Sequence, residues 1–473
     1  MKVARLENPV RLSWIMDQGA RLDAPPFLSE GMDARAILRR FPPSRIQLLS
    51  ALVARDGAGI YHAGRIPRHW VEDPRFGVRF LSSSDMLKAD LSHLAIISNR
   101  AVAANPLLII KRDWTLVSRS GCIGNTVYAR AEMDSLACSE DVLRIVPARA
   151  KVRPGYLYAW LSSRFGQALL KGGTYGAIIQ HLEPVHIADL PVPRFSDRLE
   201  LEIHDCVQRA ADQRGTAAKL KAAARLQALT ELGLDEAEAL VPTTRAASFT
   251  VPVREIQASC RLEGGFHHPS AIVARDRLRA ARASEHRRLG SVARVFTPGI
   301  FKRPHVDDPN AGYPYFSGTE LFQLDPEPRG FLAKKAPGIR KYLVERDWLL
   351  VQDAGQLGGL IGRVVRVASQ WDGSVVSNHL MRIAAESETD AGYLFCLLTS
   401  MFGYLAVTRN AFGGSIPQLD PAHIQDIVIP WPNDEVRATL GELMVKVWEL
   451  EDSARDSERL ARTLIERAVE AET

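Results

Sequence analysis

The 473-residue chain has only five cysteines, Cys122, Cys138, Cys206, Cys260 and Cys396, and no two of them form a C-x-x-C pair. Such scattering excludes a disulfide framework and a Cys-based zinc site, and leaves the thiols as small buried apolar groups. No run reaches the ~18 apolar residues that cross a bilayer. The start, MKVARLENPVRLSW, lacks the continuous apolar core of a secretory signal. A cytoplasmic protein is expected. Neither sign of charge dominates: 60 Lys and Arg stand against 55 Asp and Glu, a net +5 that permits a polyanionic partner without demanding one. With 46% hydrophobic and 24% charged residues, the composition is that of a soluble chain of two or three domains.

Catalytic signatures are absent too. NPLL at Asn105 lacks the second proline and the aromatic of an amino-methyltransferase motif, residues 355–362 fit neither a dinucleotide loop nor a P-loop, and no G-x-S-x-G elbow occurs. His267 and His268 are adjacent, so they cannot share a helix face as a metal pair spaced by four would. The expectation is a chain with no catalytic residue, no metal and no cofactor of its own.

What the chain does have is itself, twice. GYLYAWLSSRFGQALLKGGTYGAIIQHLEPVHIADLPVP (155–193) recurs as GYLFCLLTSMFGYLAVTRNAFGGSIPQLDPAHIQDIVIP (392–430) at a constant offset of 237. Tyr156 matches Tyr393, Phe165 and Gly166 match Phe402 and Gly403, and Pro184, His186 and Asp189 match Pro421, His423 and Asp426. Upstream, the RDW of Arg112 recurs at Arg346, GVRFLSSSDM at Gly77 resembles GYPYFSGTEL at Gly312, and RLD at Arg21 resembles RLE at Arg261. A period of half the chain means tandem duplication and not a solenoid, whose units are about 20–50 residues. The matched Trp114 and Trp348, Tyr156 and Tyr393, and Phe165 and Phe402 are expected in the core. His186 and His423 are expected in short helices opened by Pro184 and Pro421.

After each copy the pattern turns helical. Val436, Leu440, Leu443, Val447, Leu450, Ala454, Ser457, Ala461, Leu464 and Ala468 step by four and three, a heptad seam. The same register 237 residues earlier holds Leu199, Ile203, Cys206, Ala210, Ala217, Leu220 and Ala224, a weaker, alanine-rich seam stopped by Gly233. Two readings compete, a helix packed on its own domain and a helix pair. The seam's length, beyond the ~11–12 residues of a typical helix, favours pairing. The expected order is domain 1–195, helix 196–233, linker 234–254, domain 255–432, helix 433–473. A helix running out and a helix running back must pair antiparallel, giving a pseudo-twofold dumbbell whose bars, at 35–40 residues, span roughly 50–60 Å.

Two divergent repeats, each closing with a small-residue turn, a Pro-led segment, a short apolar strand and a long helix, resemble the specificity subunit of a type I restriction-modification enzyme. GGSIPQL (413–419) is the nearer match to that family's turn; GAIIQHL (176–182) lacks its Ser and Pro. The resemblance implies an α+β fold of two tandem target-recognition α/β domains, each reading half of a gapped, non-palindromic duplex DNA sequence. It also implies helices that dock two methylation subunits, with a restriction subunit joining the complex and S-adenosylmethionine held by the methylation subunit. Leu199, Ile203, Leu220, Val436, Leu440, Leu443, Val447, Leu450 and Leu464 would line those helices. Internal divergence is greatest over 31–106 and 275–337, as expected where bases are touched. A self-contained DNA-binding nuclease and a protein-binding adaptor remain rival readings.

Candidate DNA-contacting residues follow from chemistry. Lys171, Gly172, Gly173, Thr174 and Tyr175 in one copy, and Arg409, Asn410, Gly413, Gly414 and Ser415 in the other, combine glycine with cation, hydroxyl or amide. The competing reading is a plain turn before the Pro-led segment. Arg119 and Asn125, and Gln352 and Gln356, occupy equivalent turns; Arg can read guanine, and Asn or Gln adenine. Arg65 and Arg68, Lys302 and Arg303, and Lys334 and Lys335, with Arg340 and Lys341 nearby, would neutralise phosphates, or form ordinary solvated surface.

Overall fold

The computed structural model describes residues 10–17, 27, 30–54, 59–121, 123–172, 181–236 and 248–472. It is a mixed α+β protein of two compact units, one of residues 1–215 with 453–473, the other of residues 216–452.

In the first unit, an antiparallel four-stranded sheet has the order Ile60–Tyr61, Val142–Ile145, Thr115–Ser118, Thr126–Tyr128. Its two central strands, TLVS and VLRI, are buried at every position, which is why they lack a polar-apolar alternation. A smaller sheet has the order Trp70–Val71, Ile96–Ser98, Gly77–Leu81, Ala137–Cys138, its last pairing parallel. Ile46–Leu48 pairs with Pro191–Pro193. The two prolines have no N–H to offer, and such a strand is tolerated where only one neighbour pairs with it.

The second unit repeats this plan. Ala293–Phe296, Leu380–Ala385, Leu349–Gln352 and Val364–Arg366 form the larger sheet in that order. His305–Val306, Gly330–Ala333, Gly312–Phe316 and Val375–Val376 form the smaller one, again with a parallel last pair, and Glu285–Arg288 pairs with Val428–Trp431.

Details coincide at the offset seen in the sequence. The buried Tyr156 hydroxyl donates to the Pro193 carbonyl, and the Tyr393 hydroxyl to the Pro430 carbonyl at 2.6 Å. The matched glycines have a physical cause, since a Cβ on Gly166 would strike the Trp160 carbonyl and one on Gly403 the Leu397 carbonyl. Asp113 and Asp347, in the repeated RDW, both adopt left-handed backbone (φ 69° and 67°), which Asp tolerates better than most residues. Their tryptophans differ from expectation: Trp114 and Trp348 are only half-buried, at the rims of satellite clusters, whereas Tyr156, Tyr393, Phe165 and Phe402 are core. The match of Arg21 to Arg261 lies outside the described residues.

Each larger sheet buries an arginine. Arg144 donates to the carbonyls of Ser139 (2.8 Å), Val142 (2.6 Å), Leu108 (3.3 Å) and Cys138 (2.5 Å), tying the last strand of the small sheet to the larger one. Arg382 does the same through Ser377 (3.0 Å), Val376 (3.2 Å) and Leu380, and burial pushes its pKa down to about 10. One guanidinium thus serves several main-chain oxygens at once.

Two long helices, Asp197–Leu232 and Asp434–Ala471, contribute to both units. The first ends at Gly233, φ 66°, where the Leu234 N–H bonds the Leu229 carbonyl at 2.8 Å. In the first unit Ile203, Cys206, Val207 and Ala211 share a core with Ala461, Ile465 and Val469; Leu199 and Leu464 pack at its edge. In the second, Ala217, Ala224 and Ala228 share a core with Leu440, Met444, Val447 and Trp448, flanked by Leu220, Val436, Leu443 and Leu450. The buried stripe is therefore broader than a heptad seam: Met444, Trp448, Ile465 and Val469 lie beside the expected positions because the helix also covers the globular part of its own unit. Burial of each such side chain contributes about 1.5–3 kcal/mol. Part of the expected linker, 237–247, lies outside the described residues; its last residues already begin the helix Val253–Ser259. Among the described residues no single helix is long and apolar enough to cross a membrane.

Candidate nucleic-acid interface

The structure brings the paired loops of each repeat together. In the second unit the turn after Leu349–Gln352 and the loop 412–419 are stitched by Gly355 N–H to Pro417 O (3.1 Å) and Leu419 N–H to Asp353 O (2.7 Å). Gly413 (φ 104°), Gly414 and Ser415 form the exposed tip, and Gln356 is exposed on the facing turn. In the first unit Leu182 N–H bonds Arg119 O at 3.0 Å, and the Lys171 side chain lies against Gly124. Lys171 is exposed at the end of the helix Arg164–Gly172, while Gly173, Thr174 and Tyr175 lie outside the described residues.

Three candidates are committed to the fold. The Arg119 guanidinium, 12% exposed, donates to Leu182 O (3.2 Å) and is ion-paired to Glu183, so it pins the Pro-led segment. Asn410 is buried with its amide on Ala406 O at 2.8 Å, and Gln352 turns its amide to Ala354 O at 3.0 Å. The half-buried Asn125 closes the glycine turn through its main chain, Ser118 N–H to Asn125 O at 2.9 Å. His186 completes a capping box with Glu183, and His268 caps the helix Pro269–Ala280, whereas His267 bonds Arg261 O at 2.8 Å.

One member of each basic pair proves equivalent, Arg68 and Arg303, each two residues before a strand. Arg65 and Arg68 precede the first strand of one small sheet; Lys302 and Arg303 precede that of the other. Arg68 sits 5.4 Å over Phe80 and Arg303 5.5 Å over Tyr315, rings at matching strand positions. Arg65, Lys302 and Lys335 are exposed and have no ion-pair partner among the described residues. Lys334 donates to Asn310 O at 3.1 Å and lies 5.7 Å over Tyr313. Phe301 stacks on Tyr342 at 3.8 Å, and Arg303 and Lys334 lie over rings of this one small apolar cluster.

Between basic pair and glycine turn lies a bridge invisible in the sequence. In the first unit Arg68 bonds Glu140 (3.0 Å), and the next residue, Asp141, accepts from Ser120 (2.8 Å) and from Arg119 N–H (3.0 Å). In the second, Arg303 bonds Asn378 (3.1 Å), and the next residue, His379, contacts Asp353 (3.3 Å). Hydrogen bonds thus link basic segment, bridge and turn in each unit, with Glu140 and Asn378 buried, Asp141 half-buried and His379 exposed. Burial raises the Asp353 pKa to about 6, against the opposing pull of His379.

Arg409 lines a separate cleft of about 240 Å³ with Arg261, Arg275, Arg279, Phe266 and His423. Its guanidinium stacks 3.6 Å over Phe266 and donates to the Phe266 carbonyl at 2.9 Å. Desolvation, then the charges of Arg275, Arg261 and Arg279, push its pKa down to about 10, with Asp276 pulling the other way.

No family model and no curated protein matches the chain. Among solved structures, it is similar to the S subunit of the type I restriction-modification system from M. genitalium, at 11% identity over 90% of this chain and 95% of that one, TM-score 0.36. It is also similar to the HsdS subunit from Thermoanaerobacter tengcongensis, at 14% identity over 92% and 98%, TM-score 0.27. A third, from work on the complex assembly of the type I R-M system, gives 14% identity over 90% and 98%, TM-score 0.27.

Proposed function

We propose that the chain is the non-catalytic specificity subunit of a type I restriction-modification enzyme, working in the cytoplasm and reading a bipartite, gapped, non-palindromic sequence in duplex DNA, one block per repeat. The observation that carries this is the bridge: one frame occurs twice, with buried Glu140 and half-buried Asp141 in one unit where the other has buried Asn378 and exposed His379. A frame kept while the polar group it leaves open to solvent changes from the Asp141 carboxylate to the His379 imidazole is suited to reading two different blocks, because acceptors and imidazoles favour different base edges.

Arg65, Lys302, Lys335, Lys171 and Arg409 are proposed to meet phosphates, and Gly413, Gly414, Ser415 and Gln356 to approach the DNA as a loop tip. The long helices are proposed to pair as an antiparallel coiled coil. Supporting this, Arg214 meets Glu458 and Lys221 meets Glu451, numbers that run in opposite directions. Such a pair would set the gap and dock two methylation subunits, which would hold S-adenosylmethionine, and a restriction subunit. Reading units on one face of B-DNA recur about every 34–36 Å, so two blocks need a rigid spacer.

Methylome sequencing of a host expressing the chain with its methylation subunit tests the reading. Replacing residues 23–193 by the same region of another such protein should change one block of the methylated motif and leave the other. A change in both blocks, or in neither, refutes it.

A further inference from the structure

The long helices carry ion pairs related by the same 237-residue offset, with their charges reversed. In the first unit the Arg214 and Glu458 side chains, 9% and 4% exposed, are paired, and the Tyr158 hydroxyl also donates to Glu458. Shifting these positions by the offset leads to Glu451, Lys221 and Phe395 of the second unit. There Lys221 Nζ lies 2.6 Å from Glu451 and 5.8 Å from the centre of the Phe395 ring. Each helix is thus like-charged at the two positions: Arg214 and Lys221 on the first, Glu451 and Glu458 on the second.

Around these ion pairs the apolar seam discriminates little, since Ala217 and Ala224 of the first helix match Ala454 and Ala461 of the second. The first helix set against its counterpart in a second copy, in the register of the pairs above, would bring Arg214 onto Lys221 of that copy. The second helix likewise would bring Glu451 onto Glu458. The aromatic positions agree with this. Tyr158 has a hydroxyl to donate where its partner is a carboxylate, and Phe395 offers a negative ring face where its partner is an ammonium. Self-pairing would reverse both matches. Like charges set against each other out of water are strongly unfavourable, and repulsion of this kind is how partner choice is enforced when attractive surfaces are alike.

We propose that these positions form a pairing code that directs each repeat's helix to the opposite repeat of its own chain and rejects the like helix of a second copy. The inference does not depend on what the chain binds.

The test uses the full-length protein. In R214E/E458K both native pairs keep opposite charges, but each helix now carries one charge of each sign, so like helices become compatible. K221E/E451K does the same through the other pair. Each protein is unfolded in denaturant, refolded over a range of concentrations and assayed by native mass spectrometry. The double variants should show at least about tenfold more dimer than the natural chain, since each 1.4 kcal/mol of relieved repulsion is a factor of ten. An equal dimer fraction in all three proteins overturns the proposal. Arg214→Glu alone should lower the melting temperature by setting two carboxylates together, and R214E/E458K should recover part of it. The stability gap that remains measures the lost Tyr158 contact and the Arg462 charge beside the new ammonium of E458K, so the dimer fraction decides: no rise in either double variant overturns the proposal.

Discussion

Replacing Asp353 by Asn should make the protein more stable at neutral pH and leave it nearly unchanged at pH 4. The carboxyl is 8% exposed, and desolvation lifts its pKa from the ordinary 3.8 to about 6, with His379 pulling the other way. A raised folded-state pKa means that the fold prefers the protonated acid. The resulting stability is fully present below the unfolded value and is lost as pH rises through about 6. A shift of about two units, at 1.36 kcal/mol each, corresponds to about 3 kcal/mol. Asn has the shape of the protonated acid but never pays for ionisation. Urea unfolding of both proteins from pH 4 to pH 8 should therefore show a variant-minus-natural difference near zero at pH 4, rising through pH 5 to 6 and levelling near about 3 kcal/mol. A difference that stays flat across this range, within the ~0.5 kcal/mol at which such comparisons scatter, would show that the carboxyl is solvated and that the Asp353–His379 bridge is open to water.

Two further outcomes follow from the same geometry. Arg409→Ala should weaken DNA binding and lower the slope of log affinity against log salt by about one if its guanidinium meets a phosphate; an unchanged slope in a variant with native circular dichroism places it off the backbone. Gly403→Ala should destabilise by about 1–3 kcal/mol, against the stabilisation an Ala normally brings to a helix, because the new Cβ runs into the Leu397 carbonyl; a thermal melt showing equal or higher stability would mean that the helix shifts freely.

The helices were legible because a heptad pattern is a one-dimensional trace of burial. Leu440, Val447, Ala454 and Ala461 are indeed buried. The stripe of Met444, Trp448, Ile465 and Val469 was not legible, since it faces strands and helices distant in sequence. Arg144 and Arg382 escaped notice for a related reason. Their partners are carbonyl oxygens, which every residue has, so no sequence pattern announces them. At the candidate interface, the basic pairs could be seen but the equivalence of Arg68 and Arg303 could not, because the surrounding segments have diverged. Arg119, Asn410 and Gln352 have the right chemistry for bases, and sequence alone does not reveal that Glu183, Ala406 and Ala354 already engage them.

The way in which the two repeats differ has a simple physical logic. Several of the contacts that recur are ones in which a side chain bonds the main chain: Tyr156 and Tyr393 to a proline carbonyl, Arg144 and Arg382 to carbonyls of the small sheet. A carbonyl survives any substitution at its own residue, so such a contact tolerates drift around it. Contacts between two side chains have no such protection: short-range ones recur, Arg112 with Asp113 and Arg346 with Asp347, but two that join distant segments have changed as sets. Arg68 with Glu140 became Arg303 with Asn378, and Arg214 with Glu458 corresponds to Glu451 with Lys221. The first of these sets lies on the surface proposed to read DNA, the second on the helices, and each can be altered without disturbing the frame that positions it. A duplicated chain built this way can acquire two different recognition surfaces while its two halves remain matched to each other.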